Sequence, residues 1–118
     1  MINAVHALIY SMDADADRAF IRDVLGLDFV DSGGGWLIFA LPPAELGVHP
    51  TESEPRHELY LMCDDVMRTV RELRRKGAEF EGGIKDVGFG RLTHIRLPSG
   101  ATLPMYEPNH PVAADTSR

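Results

Sequence analysis

The chain has a single cysteine, Cys63, among 118 residues. That excludes an intrachain disulfide and any zinc site built from several thiolates of one chain. Cys63 follows Leu59 and Leu61 at alternate positions, which is the place of a small core hydrophobe and not of a nucleophile. No apolar run approaches the roughly 20 residues of a membrane span. No basic region followed by a long apolar stretch opens the chain, so neither an anchor nor a secretory leader is expected, and the expected address is the cytoplasm. Cations are also scarce: 12 Lys and Arg stand against 18 Asp and Glu, for a net charge of −6. Counterion release needs clustered Lys and Arg, so a nucleic-acid partner is not expected. The one basic cluster, Arg71, Arg74, Arg75 and Lys76, falls at the end of an expected helix, where it complements the helix dipole. The glycine run Gly33-Gly34-Gly35 precedes a strand and not a helix, so it makes a turn and no phosphate cradle.

What is present is one domain's worth of core. The length supports a single hydrophobic core and is too short for two independent ones. Ile2 to Tyr10 is apolar with β-branched residues and predicts a buried strand. Ser11 or Asp13 can cap the helix that follows, and Asp13, Asp15 and Asp17 suit its positive end. Phe20 and Val24 are its expected core contacts, and Gly26 stops it. Short strands are expected over 27–31, 36–41 and 45–49, with Pro42-Pro43 between the last two. Residues 58–63 predict a strand, Asp64 or Asp65 a helix cap, and Val66, Val70 and Leu73 the buried stripe of a helix ended by Gly77. Strands follow over 78–81, 91–97 and 101–107, with turns at Gly82-Gly83, Gly88-Phe89-Gly90 and Pro98-Ser99-Gly100. Residues 109–118 read as a polar, frayed tail.

The order repeats. Gly26 and Gly77 lie 51 residues apart, as do Phe29 and Phe80, and Asp28 and Glu79. The expectation is an α+β fold of two tandem βαβββ units within one domain, 1–118. Unit one covers 1–50, a linker 51–56, unit two 57–108 and the tail the rest.

This pattern resembles the vicinal oxygen chelate superfamily, which includes glyoxalase I, bleomycin-resistance proteins and extradiol dioxygenases. The resemblance runs from Ile2 to Pro108. It rests on Val24-Leu25-Gly26-Leu27 after an acidic helix start, on Cys63-Asp64-Asp65-Val66, and on Leu97-Pro98-Ser99-Gly100 before a strand ending in Tyr106-Glu107-Pro108. It implies a curved mixed sheet around an open cleft and a homodimer. In many members the cleft holds a divalent metal on side chains from the first and last strand of each unit.

Carried over residue by residue, the first metal position is His6. The second is Glu58, because Leu59, Leu61 and Cys63 suit the helix-packed face and alternation turns Glu58 the other way. The 51-residue offset instead pairs His6 with His57, and one residue of helix-length variation would reconcile the two. The closing-strand positions fall on Leu46 and Pro104, which offer no donor. Glu107 stands at a position that family members also fill outside the cleft. A catalytic site needs about three protein ligands and an open position, so His6 and Glu58 make an incomplete set.

The expected cleft wall takes Leu8, Tyr10, Trp36, Leu46 and Val48 from unit one, Trp36 without an assigned face. From unit two it takes Tyr60, Met62, Pro104 and Tyr106. Aromatic and aliphatic walls with few polar groups suit a small organic molecule. The expected protein binds such a molecule in an apolar cleft, carries a degraded metal site and needs no resident cofactor. The rival reading is a metal-dependent lyase or dioxygenase using His6 and Glu58. The same pair could instead transfer a proton, or simply satisfy one another where two strands meet. His94 and Arg96 share a face and could recognise an anion or stand in solvent.

Overall fold

The computed structural model describes residues 6–48 and 50–113. The element order is α1 (Ala14–Phe20), a π-helical turn (Ile21–Leu25), β1 (Phe29–Asp31), β2 (Leu37–Phe39), β3 (Leu61–Met62), α2 (Val66–Arg75), β4 (Glu79–Val87), β5 (Gly90–Arg96) and β6 (Thr102–Pro108). The fold is α+β. β1 and β2 form a two-stranded antiparallel sheet, and the other strands a four-stranded mixed sheet in the order β3-β6-β5-β4.

Local chemistry explains the helices. Asp13 caps α1 by accepting from the Ala16 amide at 3.2 Å, while Ser11 accepts from the Asp13 amide. Asp65 caps α2 by accepting from the Arg68 amide at 3.1 Å. Each carboxylate takes up an amide that has no partner within its helix. Gly26 closes the first helical segment in the left-handed region, at φ 70°. The basic side chains Arg74 and Arg75 fall in the last turn of α2, against the negative end of its dipole.

The second half realises the βαβββ order in full. Parallel pairing of β3 with β6 sets Leu61 against Met105 and Met62 against Tyr106. β6 then pairs antiparallel with β5, and β5 with β4. Residues Gly82-Gly83, expected to turn the chain, do not do so. β4 runs through them as a bulge, in which the register shifts between Glu81 and Lys85. Both glycines have positive φ, which turns and bulges alike require.

Helices cover one face of the larger sheet. Ile95, Leu97, Leu103 and Ala78 form one buried cluster, and Val66, Val70 and Met105 another. Leu59, Leu61 and Leu73 pack against the first of these, and so do Phe20, Val24 and Leu25 from the first helical segment. The buried Asp17 of α1 fastens that arrangement. Its carboxylate accepts from the Ser99 amide at 3.0 Å and the Ser99 hydroxyl at 2.8 Å, across 82 residues of sequence.

The first half departs from the expected repeat. Residues 6–10 and 45–48 lie outside any ladder, and most of their side chains are exposed. Residues 2–5 and His49, which complete those two expected strands, lie outside the described residues. The β1–β2 hairpin leaves Phe29, Val30 and Ile38 partly or largely exposed. The first helical segment packs its apolar side chains on the larger sheet and not on the hairpin. The chain exposes 9107 Å², against roughly 6,400 Å² expected for a folded monomer of this mass. Its radius of gyration is 15.0 Å, against about 13.5 Å for a compact chain of this length.

Candidate functional site

The face of the larger sheet opposite the helices carries the candidate site. Because Met62 lies beside Tyr106, and His94 beside Pro104, these side chains share that face. Tyr60 reaches it from just before β3. Its ring meets Tyr106 edge-on, with centroids 5.7 Å apart. Phe89 completes a triangle, 5.2 Å from Tyr106 and 6.0 Å from Tyr60. Such edge-to-face pairs are each worth about 0.5–1.5 kcal/mol beyond area burial.

Phe89 comes from the turn between β4 and β5. Gly90 places it there, because a Cβ at Gly90 would collide with the Glu107 carbonyl oxygen. Only a glycine lets β5 begin this close to β6. A large aromatic residue between two glycines was the sequence signal for Phe89; His110, in the tail, gave none.

Polar groups ring the aromatic cluster. The Tyr60 hydroxyl donates to Glu58 at 3.4 Å, and Glu58 also pairs with Arg56 at 3.6 Å. Burial, then the Glu58 charge, pushes the Tyr60 phenol above its ordinary value. Tyr106 is raised too, first by burial and then by the Glu45 charge. Both phenols therefore hold their protons at neutral pH and act as donors, not as bases. The Tyr106 hydroxyl lies 3.0 Å from His110 Nε2.

Of the residues expected at the cleft, the structure brings Glu58, Tyr60, Met62, Pro104 and Tyr106 to this one region. His6, Leu8, Tyr10, Leu46 and Val48 stand exposed, Leu46 at 91% and Val48 at 90%. Trp36 lies against α1, with the Arg18 guanidinium 4.6 Å from its ring centroid. Among the described residues, no hydrogen bond or ion pair joins His6 to Glu58, and no three or more His, Cys, Asp or Glu side chains gather in a way that could hold a metal ion. Leu46 and Pro104, expected on the closing strands, have hydrocarbon side chains. Among the described residues, no donor set reaches the roughly three protein ligands such a metal requires.

Three other groups are accounted for by structure. Glu107 accepts from the Val66 amide at 3.1 Å and so caps α2 from the strand, on the helix side of the sheet. Arg96 is held by Glu79 and Glu81, two carboxylates on one guanidinium, which leaves no positive charge for an anion. Burial pushes the Cys63 thiol up to about 11, and the thiol donates to the Tyr106 carbonyl at 3.5 Å. A thiol with that pKa is not a nucleophile at neutral pH.

Two surface hollows lie elsewhere. One, of about 220 Å³, is lined by Phe20, Glu79, Arg96 and Leu97 among others. The other, of about 300 Å³, lies on the hairpin against Phe29, Val30, Ile38 and Phe39.

The model of the Glyoxalase/Bleomycin resistance protein/Dioxygenase superfamily matches residues 3–105. The chain belongs to this superfamily. Among solved structures, it is similar to TnmS3, an antibiotic binding protein from Streptomyces sp. CB03234, at 23% identity over 92% of this chain and 98% of that one, with a TM-score of 0.66. It is similar to lactoylglutathione lyase from Agrobacterium tumefaciens at 20% identity over 91% and 95%, TM-score 0.62. It is also similar to FosX, a fosfomycin resistance protein from Listeria monocytogenes, at 13% identity over 92% and 94%, TM-score 0.57. At these identities the likeness is one of fold. No curated protein matches the chain. No helix among the described residues is long and apolar enough to cross a membrane.

Proposed function

We propose that this superfamily member binds a small organic molecule on the Tyr60–Phe89–Tyr106 face, without a metal, as a sequestering or sensing protein. The observation that carries the reading is the aromatic triangle itself, whose two phenols stay protonated donors. Aromatic walls with few polar groups suit a small ligand. Leu46 and Pro104, hydrocarbon where family metalloenzymes place carboxylates, support binding over metal chemistry. The likeness in fold to an antibiotic binding protein and a fosfomycin resistance protein is consistent with it.

The working unit in this reading is a homodimer. The exposed apolar side chains of the β1–β2 hairpin support this reading, because exposed apolar patches commonly mark interaction surfaces. A second copy would cover the apolar hairpin face at Phe29, Val30 and Ile38, and would give the strands expected over 2–10 and 45–49 a ladder to join. The two-unit cleft is then completed between copies. Light scattering should give twice the chain mass of 13.1 kDa; a monomer at micromolar concentration removes this part of the proposal.

The metal question is decided by elemental analysis of the purified protein and of His6→Ala. Trace metal, equal in both, is expected. Stoichiometric metal that disappears in His6→Ala would establish the lyase or dioxygenase reading instead. Binding is decided by titrating aromatic small molecules into the protein and into Tyr60→Ala, which should lose at least tenfold in affinity.

A further inference from the structure

We infer that His110 is a tethered occupant of the ligand's place on Tyr106, and that the ligand which displaces it is a planar aromatic compound with a hydrogen-bond-accepting ring atom. This rests on the proposed ligand face and names the chemistry recognised there.

Donor and acceptor roles at His110 follow from its partners. Nδ1 lies 2.8 Å from the Pro111 carbonyl oxygen, which can only accept, so Nδ1 carries the proton. In the neutral ring Nε2 is then bare, and it accepts from the Tyr106 hydroxyl at 3.0 Å. The two rings lie 5.9 Å apart and tilted by 35°. Tyr106 is only 9% exposed, and its phenol keeps its proton. It is a nearly buried donor that requires an acceptor whenever His110 is away.

Hydrogen bonds pin the segment on either side of His110. The Asn109 amide donates to the Phe89 carbonyl at 3.0 Å, and the Ala113 amide donates to Glu45 at 2.7 Å. Residues 109 and 111–113 are exposed, while His110 is half-buried. His110 thus offers a flat ring and a lone pair to the aromatic triangle from a strap pinned on either side of it. A ligand with the same two features would exchange for it with no hydrogen bond lost at Tyr106. The strap lowers ligand affinity by the fraction of time it is closed.

The test uses 4-phenylimidazole, whose bare ring nitrogen and second ring reproduce these features. It is titrated by NMR near pH 8, about 1.5 units above the ordinary imidazole pKa, with folding of each variant checked by thermal unfolding. His110→Ala should bind the probe roughly tenfold more tightly than the unaltered chain, the worth of one net hydrogen bond. The gain should vanish in His110→Ala combined with Tyr106→Phe. Glu45→Gln, which removes the carboxylate charge that raises Tyr106 and weakens the acceptor for the Ala113 amide, should give a smaller gain, so the test stands even if His110→Ala folds poorly. In the unaltered chain, bound probe should move the His110 ring signals toward those of free histidine. Equal affinities in the unaltered chain, His110→Ala and Glu45→Gln would leave the ligand face intact and reduce His110 to a tail anchor. Failure of every variant to bind, with Tyr60→Ala no different, would remove the ligand face and this inference with it.

Discussion

Two of the antiparallel hairpins among the described residues, β1–β2 and β4–β5, have completely different surroundings. β5 lies between β4 and β6 under two helical segments, and its Ile95 is fully buried. Among the described residues β1 and β2 pair only with each other, and Val30 is 64% exposed. Both hairpins have apolar residues in strand-compatible stretches. Strand pattern alone therefore does not decide burial; what lies on the face does. The difference teaches that cover from the chain's own helical segments buries β5, while the β1–β2 hairpin keeps apolar side chains exposed.

The largest expected effect tests that contrast directly. Ile95→Ala should cost about 3–4 kcal/mol, the transfer loss plus the cavity left behind. Val30→Ala should stay within about 0.5 kcal/mol at low protein concentration, as exposed sites do. Urea unfolding of both variants makes the comparison. Equal losses would break it. A Val30→Ala cost that grows with protein concentration would sharpen it, since a second copy would then be covering the hairpin.

Next in size is the joint between the halves. Asp17→Ala removes the acceptor for both Ser99 donors in a buried setting, and a loss of about 1–3 kcal/mol is expected. Asp17→Asn keeps one acceptor oxygen and should lose less. If neither variant changes the urea midpoint, the first helical segment is not held to the larger sheet by this carboxylate.

A smaller effect of opposite sign is expected at Thr93. Its hydroxyl is buried with no hydrogen-bond partner among the described residues, on the strand residue that faces the β4 bulge. Thr93→Val exchanges that hydroxyl for a methyl of similar shape and should raise stability by about 1 kcal/mol. A loss instead would mean that the hydroxyl has a partner, such as an ordered water.

How much of this was legible in the sequence follows the same divide. Leu59, Leu61 and Cys63 alternate strictly, and the face they share was readable before any coordinates. Asp65, Val66, Val70, Leu73 and Gly77 likewise spell a capped, one-sided helix. Family membership and the α+β class were readable because these local patterns occur in a fixed order. The first half was not readable in the same way. Residues 6–10 have strand-like composition, but a ladder needs a neighbour, and composition does not supply one. Gly82-Gly83 read as a turn because a bulge uses the same positive φ. Phe89 and His110 reach Tyr106 from a turn and from the tail, where no periodicity points to a face.

The smallest expected effect is a pH dependence at Cys63, and its sign can be worked out. Burial raises the thiol from its ordinary 9.0 to about 11. The folded chain thus holds this proton more tightly than the unfolded chain does. The contribution to stability is fully present below pH 9 and is lost as pH rises through 11. Tyr60 and Tyr106 are raised from 10.0 and act in the same direction, so the unaltered chain loses stability on the alkaline side through three groups. Cys63→Ala removes only the thiol's share. Between pH 9 and 11 its urea midpoint should fall less steeply than that of the unaltered chain, and below pH 9 the two curves should run parallel. Parallel curves across the whole range would mean that the thiol is as well solvated in the folded chain as in the unfolded one. That would weaken the assignment of Cys63 to the helix-packed face, on which the opposite orientation of Tyr60 and Met62 depends.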